Sequence, residues 1–221
     1  MNYVDSFIDL VNAPFAAEVN AVCWQRKLAG DFVEIINRIE LSGNITEVSV
    51  EELIELKLSD AGQQAREIIL NDWKLLEDYG AQPVLNIIKQ YDRDDADTVY
   101  ATDVYSFHVD RSPIATDTFL CTYFGAPSEI IPNALCEQII LVPEILQELR
   151  KLYTGNGDGF EYFLREHFFD LHYRARPGAQ PINLGTGNLW RLAVDHPDSN
   201  VLPCVHRAPA ENGQLRLLMI C

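Results

Sequence analysis

The stretch VYATDVYSFHVD, residues 99–110, is rich in valine, tyrosine and phenylalanine. That composition predicts a β-strand from Val99 to Val109. Side chains at positions i and i+2 of a strand point to the same face, so His108 and Asp110 can reach one point in space. The stretch therefore predicts a β-rich core that carries a pair of candidate metal ligands.

Short strand patterns bounded by turn residues continue on both sides of this stretch. The other predicted strands are Ile45–Val50, Val84–Tyr91, Phe119–Phe124, Leu189–Val194, Val201–His206 and Leu215–Ile220. The polar run Asp92–Asp97 predicts a loop.

Helical periodicity is concentrated in the first 80 residues and in one later segment. The predicted helices are Arg26–Ile39, a helix that begins at Asp60 and ends before Gly80, Pro143–Tyr153 and Phe160–Leu171. We expect an α+β, mainly β protein with a jelly-roll-like barrel. Residues 1–221 would form one domain, with a mostly helical N-terminal layer at 1–80 and a barrel core at 81–221 that carries inserted helices at about 143–171.

The charge of the chain narrows the classes of partner. Seventeen Lys and Arg against 33 Asp and Glu give a net charge of −16, which disfavours nucleic acid and anionic membranes. The five cysteines form no C-x-x-C pair, which favours a reducing cytoplasm over a disulfide framework. The N-terminus has no basic region typical of a signal peptide, and no apolar run approaches the ~18 residues that span a bilayer.

A second histidine can complete a metal site with the first pair. His206 lies 98 positions after His108, on another predicted strand. Two imidazoles and one carboxylate on one face of a metal leave three coordination positions open, and this mixture of nitrogen and oxygen donors suits Fe(II). Both His-x-Asp and a lone strand histidine also occur for structural reasons, so this pattern alone leaves metal binding open.

Arg216 follows His206 by ten positions, and residues 208–213 between them have turn composition. We therefore expect Leu215–Ile220 to pair with the His206 strand as a hairpin and to point Arg216 into the barrel. A guanidinium in an apolar strand needs an anion, and a bidentate carboxylate fits it best. A dicarboxylic keto acid can bind the metal at one end and Arg216 at the other, although an acidic side chain of the chain itself can also pair with Arg216.

Five segments resemble, in order, the pattern of an uncharacterised bacterial family. That pattern contains Phe-His-Val-Asp, Thr-Tyr-x-Gly-Pro-Gly-Thr-Glu-Trp, His-Arg-Ser-Pro and Arg-Leu-Leu, and this chain has counterparts at 107–110, 122–130, 206–209 and 216–218. Residues 19–26 also resemble the N-terminal segment of that family. The ordered His-x-Asp, distant His and Arg resemble the larger superfamily of 2-oxoglutarate/Fe(II)-dependent oxygenases.

The superfamily resemblance implies a fold and a function. The fold is a double-stranded β-helix, a jelly-roll or cupin-like barrel. The function is that of a dioxygenase in which His108, Asp110 and His206 hold Fe(II), Arg216 anchors the co-substrate 2-oxoglutarate, and O₂ oxidises a small-molecule substrate. The chain departs from the bacterial pattern at Pro127, Ser128, Ile130 and Ala208, none of which is a proposed metal ligand.

Five further residues are candidates for binding roles. Thr122 and Tyr123 lie on a predicted strand and are candidate ligands of the cofactor carboxylate, with core packing as the alternative. Arg111 and Arg207 flank the metal ligands and can meet an anionic substrate, with surface salt bridges as the alternative. Glu129 matches a glutamate of the bacterial pattern and is a third candidate substrate contact.

Two other functions use the same residues. A zinc hydrolase would hold Zn²⁺ with this ligand set and activate water. A non-enzymatic ligand-binding barrel would keep the pocket without a reaction. His167 and His172 are five positions apart, a poor ligand spacing on the predicted helix, and are expected to be structural.

Overall fold

A computed structural model describes residues 1–94, 99–155 and 159–221 of the chain. Its strands are β1 (Asn2–Val4), β2 (Ala21–Trp24), β3 (Ile45–Val48), β4 (Val84–Ile88), β5 (Phe107–His108), β6 (Asp117–Phe124), β7 (Glu129–Ile131), β8 (Cys136–Gln138), β9 (His172–Ala175), β10 (Ile182–Asn183), β11 (Leu189–Ala193), β12 (Val205–Arg207) and β13 (Arg216–Ile220). Its α-helices are α1 (Phe7–Asn12), α2 (Phe32–Arg38), α3 (Val50–Glu55), α4 (Asp60–Tyr79), α5 (Pro143–Leu152) and α6 (Phe160–Glu166).

Local sequence signals explain where the N-terminal helices begin and end. Each of α1 to α4 is preceded by a serine or aspartate whose side chain accepts a hydrogen bond from a backbone N–H in the first turn. For α4 this residue is Ser59, directly before the helix begins at Asp60. Gly80 ends α4 in the left-handed conformation (φ 101°), as the sequence predicted.

The larger sheet has seven strands in the order β1-β2-β11-β6-β13-β4-β3. One face packs against α1 to α4 in a core that includes Leu10, Ile35, Leu53, Ile69 and Leu76. This sheet combines strands from both ends of the sequence. The first 80 residues supply three of its strands, β1 to β3, as well as helices.

The smaller sheet has six strands in the order β10-β7-β12-β5-β9-β8. A second core joins the two sheets, because Ile130 and Cys204 from the smaller one pack with Leu120, Trp190 and Leu218 from the larger one. Among the described strands only the β1–β2 pair is parallel. The protein is thus α+β, with antiparallel, curled sheets predominating over helices.

Several sequence predictions differ from the structure. The helix predicted from Arg26 begins at Phe32, and the strand predicted from Val201 begins at Val205. The strand predicted over Val99–Val109 is wrong except at Phe107–His108, because the preceding residues form bends and turns. The hairpin between the His206 strand and Leu215–Ile220 is also wrong, because β12 pairs with β5 and β7 whereas β13 pairs with β4 and β6. The helix predicted over Phe160–Leu171 ends at Glu166 and continues as a 3₁₀ turn over Phe169–Leu171.

Of the predicted loop Asp92–Asp97, residues 95–97 lie outside the described residues. In the three described ranges, no helix combines the length and the apolar character that crossing a bilayer requires.

Candidate metal centre

Three histidines form a row across three adjacent strands of the smaller sheet. His206 on β12 lies directly opposite His108 on β5, and His108 lies directly opposite His172 on β9. Side chains at paired positions share a face of the sheet. The ring centroids are 4.5 Å apart for His108 and His206 and 5.7 Å apart for His108 and His172.

This row faces the space between the two sheets. Ile130 is the cross-strand neighbour of His206 on its other side and belongs to the core that joins the sheets. Cys204, two residues before His206, packs in the same core. The alternation of strand side chains therefore directs His206 and His108 inward.

Asp110 completes a cluster of three candidate ligands. One potential ligand atom from each of His108, Asp110 and His206 lies within 4.8 Å of the other two. Asp110 Oδ2 is 3.7 Å from His206 Nε2 and accepts a 2.5 Å hydrogen bond from Thr118 Oγ1. Two cis ligands of one octahedral ion stand about 3 Å apart, so a movement of under about 1 Å brings this pair to bonding geometry.

Backbone carbonyls fix which nitrogen of each imidazole is free. Nδ1 of His108 is 2.8 Å from the carbonyl oxygen of Ser106, and Nδ1 of His206 is 3.2 Å from that of Cys204. A carbonyl oxygen only accepts, so each Nδ1 carries a proton, and in the neutral form of each ring Nε2 keeps a lone pair. Burial and the neighbouring His206 lower the pKa of His108 to about 4, which keeps its ring in the neutral form that binds metals.

Arg216 faces the same space from the opposite sheet. It lies directly opposite Ile88, a member of the core that joins the sheets. Its Nη2 donates to Thr122 Oγ1 at 3.0 Å and to Ser128 Oγ at 2.7 Å, while its buried Nε has no hydrogen-bond partner. Burial lowers the pKa of Arg216, and the hydroxyls of Tyr91 and Tyr105 oppose this shift.

Gly125 allows this arrangement. Its φ of +84° is strained for other residues, and a Cβ there would stand 2.5 Å from the carbonyl oxygen of Leu215 and 3.0 Å from the Cα of Arg216. Without a side chain at 125, the end of β6 lies close to the start of β13. The hydroxyls of Thr122 and Ser128 therefore reach the guanidinium.

Tyr123 does not take part in this site, so its assignment as a cofactor ligand is wrong. It follows Thr122 on β6 and therefore points to the opposite face of the larger sheet. Its hydroxyl donates a 2.7 Å hydrogen bond to Asp72 Oδ2, and its ring stacks on Phe32.

Replacing Tyr123 with phenylalanine is expected to lower stability without affecting the site. The variant loses a buried hydrogen bond to a charged group, which contributes roughly 1.5–3 kcal/mol. Urea unfolding measures that loss. The affinity for 2-oxoglutarate, the co-substrate that the sequence resemblance predicts, should stay within twofold of wild type, and a tenfold loss would show that Tyr123 contacts it.

The three candidate substrate contacts are paired with charges of the protein itself. Arg207 donates twice to Glu129 Oε2, at 2.9 and 2.7 Å, and both side chains lie on the face of the smaller sheet opposite His206. Arg111 donates to Asp195 at 2.8 Å and to Asp170 at 2.7 Å. The structure therefore separates Arg207 and Glu129 from the histidine row and leaves Arg111 as a salt-bridged residue at its edge.

A cavity of about 790 Å³ adjoins the candidate metal ligands, and His108, Asp110, Arg111 and His172 line it. His172 is a site residue that the sequence did not reveal. Its Nδ1 shares a 2.7 Å hydrogen bond with Ser106 Oγ, and burial lowers the pKa of His172 to about 4. Its position beside His108 depends on the β5–β9 pairing, for which residue spacing gives no signal.

The chain was compared with models of protein families, with curated proteins and with solved structures, and none of them matches it. The candidate chemistry of the site therefore rests on its own residues and their geometry.

Proposed function

We propose that the chain is an Fe(II)- and 2-oxoglutarate-dependent oxygenase that oxidises a small-molecule substrate with O₂. One observation carries this proposal. The ligand atoms of His108, Asp110 and His206 cluster within 4.8 Å on the inward side of the smaller sheet, and Arg216, whose buried Nε lacks a partner, lies on the inward face of the larger sheet.

The donor set fits iron(II). Two imidazole nitrogens and one carboxylate oxygen form a face of ligands and leave further positions open. Thr118 orients the Asp110 carboxylate, and the carbonyls of Ser106 and Cys204 orient the two rings. These residues would hold the ion.

The surroundings of Arg216 fit a carboxylate. Its described hydrogen-bond partners, Thr122 and Ser128, are both uncharged, so the buried charge lacks an anion within the described residues. The far carboxylate of 2-oxoglutarate would satisfy the guanidinium, and its keto acid end would reach the metal. The chemistry that iron and 2-oxoglutarate supply there is oxidation by O₂, with release of succinate and carbon dioxide.

We also propose that the two sheets form a double-stranded β-helix and that residues 1–221 are one domain. The antiparallel pairing and the shared core between the sheets support both statements. Helices α1 to α4 would form the outer layer, as expected for residues 1–80, although β1 to β3 belong to the larger sheet.

A cytoplasmic location is part of the proposal. All five cysteines are free thiols, and four of them are buried, which is typical of a reducing compartment. The net charge of −16 supports a small molecule, rather than nucleic acid, as the partner.

Succinate formation tests the reaction. Purified protein with Fe(II), O₂ and 2-oxoglutarate should release succinate slowly even without substrate, and omission of any one component should stop it. Hydrolysis of ester or phosphate probes that depends on zinc and ignores 2-oxoglutarate would instead establish the zinc hydrolase. Failure to bind either metal would favour the non-enzymatic barrel.

Replacing Arg216 with methionine is expected to weaken 2-oxoglutarate binding at least about 30-fold, because truncating a buried charge pair costs 2–5 kcal/mol. The free protein should be equally stable or more stable, since a buried charge without an anion is unfavourable. Isothermal titration and urea unfolding measure the two effects. Arg207→Met is the matched control on the outer face, and unchanged 2-oxoglutarate affinity in Arg216→Met would contradict the assignment.

A further inference from the structure

The size and lining of the cavity beside the candidate metal ligands restrict which molecules can bind there. Its volume of about 790 Å³ falls within the range of sites for small organic molecules. His108 and Asp110 line one part of its wall, whereas Phe168 and Arg165 belong to the inserted helical segment. A molecule that fills the cavity would therefore contact both the candidate metal centre and this segment.

Phe168 stands in the wall with an unusual backbone. Its φ of 58° lies in the left-handed region, which bulky residues seldom adopt, and its side chain is 60% exposed. It lies between α6 and the following 3₁₀ turn, a position where glycine is the usual choice. Its neighbour Phe169 is buried, so the kink divides the two rings between core and cavity. An aromatic ring kept exposed in a strained conformation indicates a binding role.

The apolar part of the wall continues from this ring. Leu171 and Val109 line the same cavity, and their backbones are joined by a 3.1 Å hydrogen bond. Phe168 supplies most of the exposed apolar surface for a hydrocarbon ring or chain, since Leu171 and Val109 are only 9% and 3% exposed. Burial of such a group is favoured by roughly 25 cal/mol per Å² of apolar surface.

The charges on the wall differ in how they are paired. Arg111 is held by Asp170 and Asp195, whereas Asp103 has no cation partner among the described residues and accepts a 3.0 Å hydrogen bond from the backbone N–H of Tyr105. Arg165 makes no ion pair with any residue in the described ranges of the chain. Its guanidinium therefore supplies the cavity with a positive charge that an incoming anion can meet.

We propose that this cavity binds an amphipathic organic anion, an apolar ring or chain that ends in a carboxylate. The apolar body packs on Phe168 and Leu171, and the carboxylate pairs with Arg165. The role of this anion as the oxidised substrate rests on the proposed function, whereas its binding does not.

Three probes with the same body and different charges test the binding. We expect 3-phenylpropanoate to bind the full chain at least about tenfold more tightly than 3-phenylpropanamide or 3-phenylpropylamine, as measured by isothermal titration without added metal or 2-oxoglutarate. Arg165→Gln should remove this preference. Arg38→Gln, a control on α2, and Arg216→Met should both retain it. Tighter binding of the amine, equal binding of all three, or loss of the preference only in Arg216→Met would overturn the proposal.

A second variant separates a binding role from a structural one. Phe168→Gly relieves the left-handed backbone, so its melting temperature should stay equal to wild type or rise by up to about 3 °C. Its affinity for 3-phenylpropanoate should nevertheless fall at least fivefold. Tyr162→Ala removes an exposed aromatic ring of α6 that does not line the cavity, and it should leave the affinity unchanged. A lower melting temperature together with full affinity in Phe168→Gly would make Phe168 structural and overturn the proposal.

The proposal of an anion site and the proposal of an oxygenase can be contradicted separately. If the charge preference holds while no succinate forms, the anion site stands and the oxygenase proposal falls. If succinate forms while the preference is absent, the oxygenase stands and the anion site falls.

Discussion

Replacing His108 with alanine is expected to abolish both metal binding and the turnover of 2-oxoglutarate. The variant removes one of three ligand atoms that lie within 4.8 Å of one another. Loss even of an outer-shell partner of a metal ligand costs 10–100-fold in affinity or activity, so loss of a ligand should cost at least about 100-fold. Competition with a chromogenic chelator measures the metal affinity, and a succinate assay measures turnover.

His167 provides a matched control for this experiment. It is an exposed histidine that follows α6 and is absent from the ligand cluster, so His167→Ala should retain metal affinity and turnover. A His108→Ala protein that keeps wild-type metal affinity would show that the ion, if bound, uses other ligands.

Replacing Asp72 with alanine is expected to destabilise the protein by about 3–5 kcal/mol, because removing one partner of a buried ion pair leaves an uncompensated charge. Asp72 is fully buried on α4 and accepts from Arg26 at 2.6 and 2.5 Å and from Tyr123 at 2.7 Å. This network joins the helical layer to the larger sheet. The free energy of unfolding in urea measures the effect.

Asp78 lies on the same helix and forms a pair with Lys74, in which the Asp78 side chain is 62% exposed. Asp78→Ala should change stability by under about 1 kcal/mol, since exposed pairs contribute little. Equal effects of the two substitutions would mean that burial does not decide the strength of the Asp72 network.

Local sequence rules were sufficient for the limits of α4 and for part of the site. Serine and glycine signals define the limits of α4, and alternation on a strand explains why Thr122 reaches Arg216. The same alternation excludes Tyr123, because adjacent strand residues point to opposite faces. Of these two neighbouring residues, only Thr122 can therefore contact Arg216.

The remaining features depend on pairing between distant parts of the chain. Residues 208–215 cross from the smaller sheet to the larger one, so Arg216 reaches the interior from the sheet opposite His206 rather than from a hairpin beside it. His172 joins the histidine row only because β9 pairs with β5. No residue spacing encodes either pairing, since each is selected by packing of the two sheets against a shared core.

An anaerobic titration tests the central proposal most directly. Protein with one equivalent of Fe(II) should develop a weak visible absorption band when 2-oxoglutarate is added, and the band should saturate at one equivalent. Neither Fe(II) nor 2-oxoglutarate alone should produce it. Folded protein that holds Fe(II) and shows no band at saturating 2-oxoglutarate would contradict the proposal that His108, Asp110 and His206 present iron to this co-substrate.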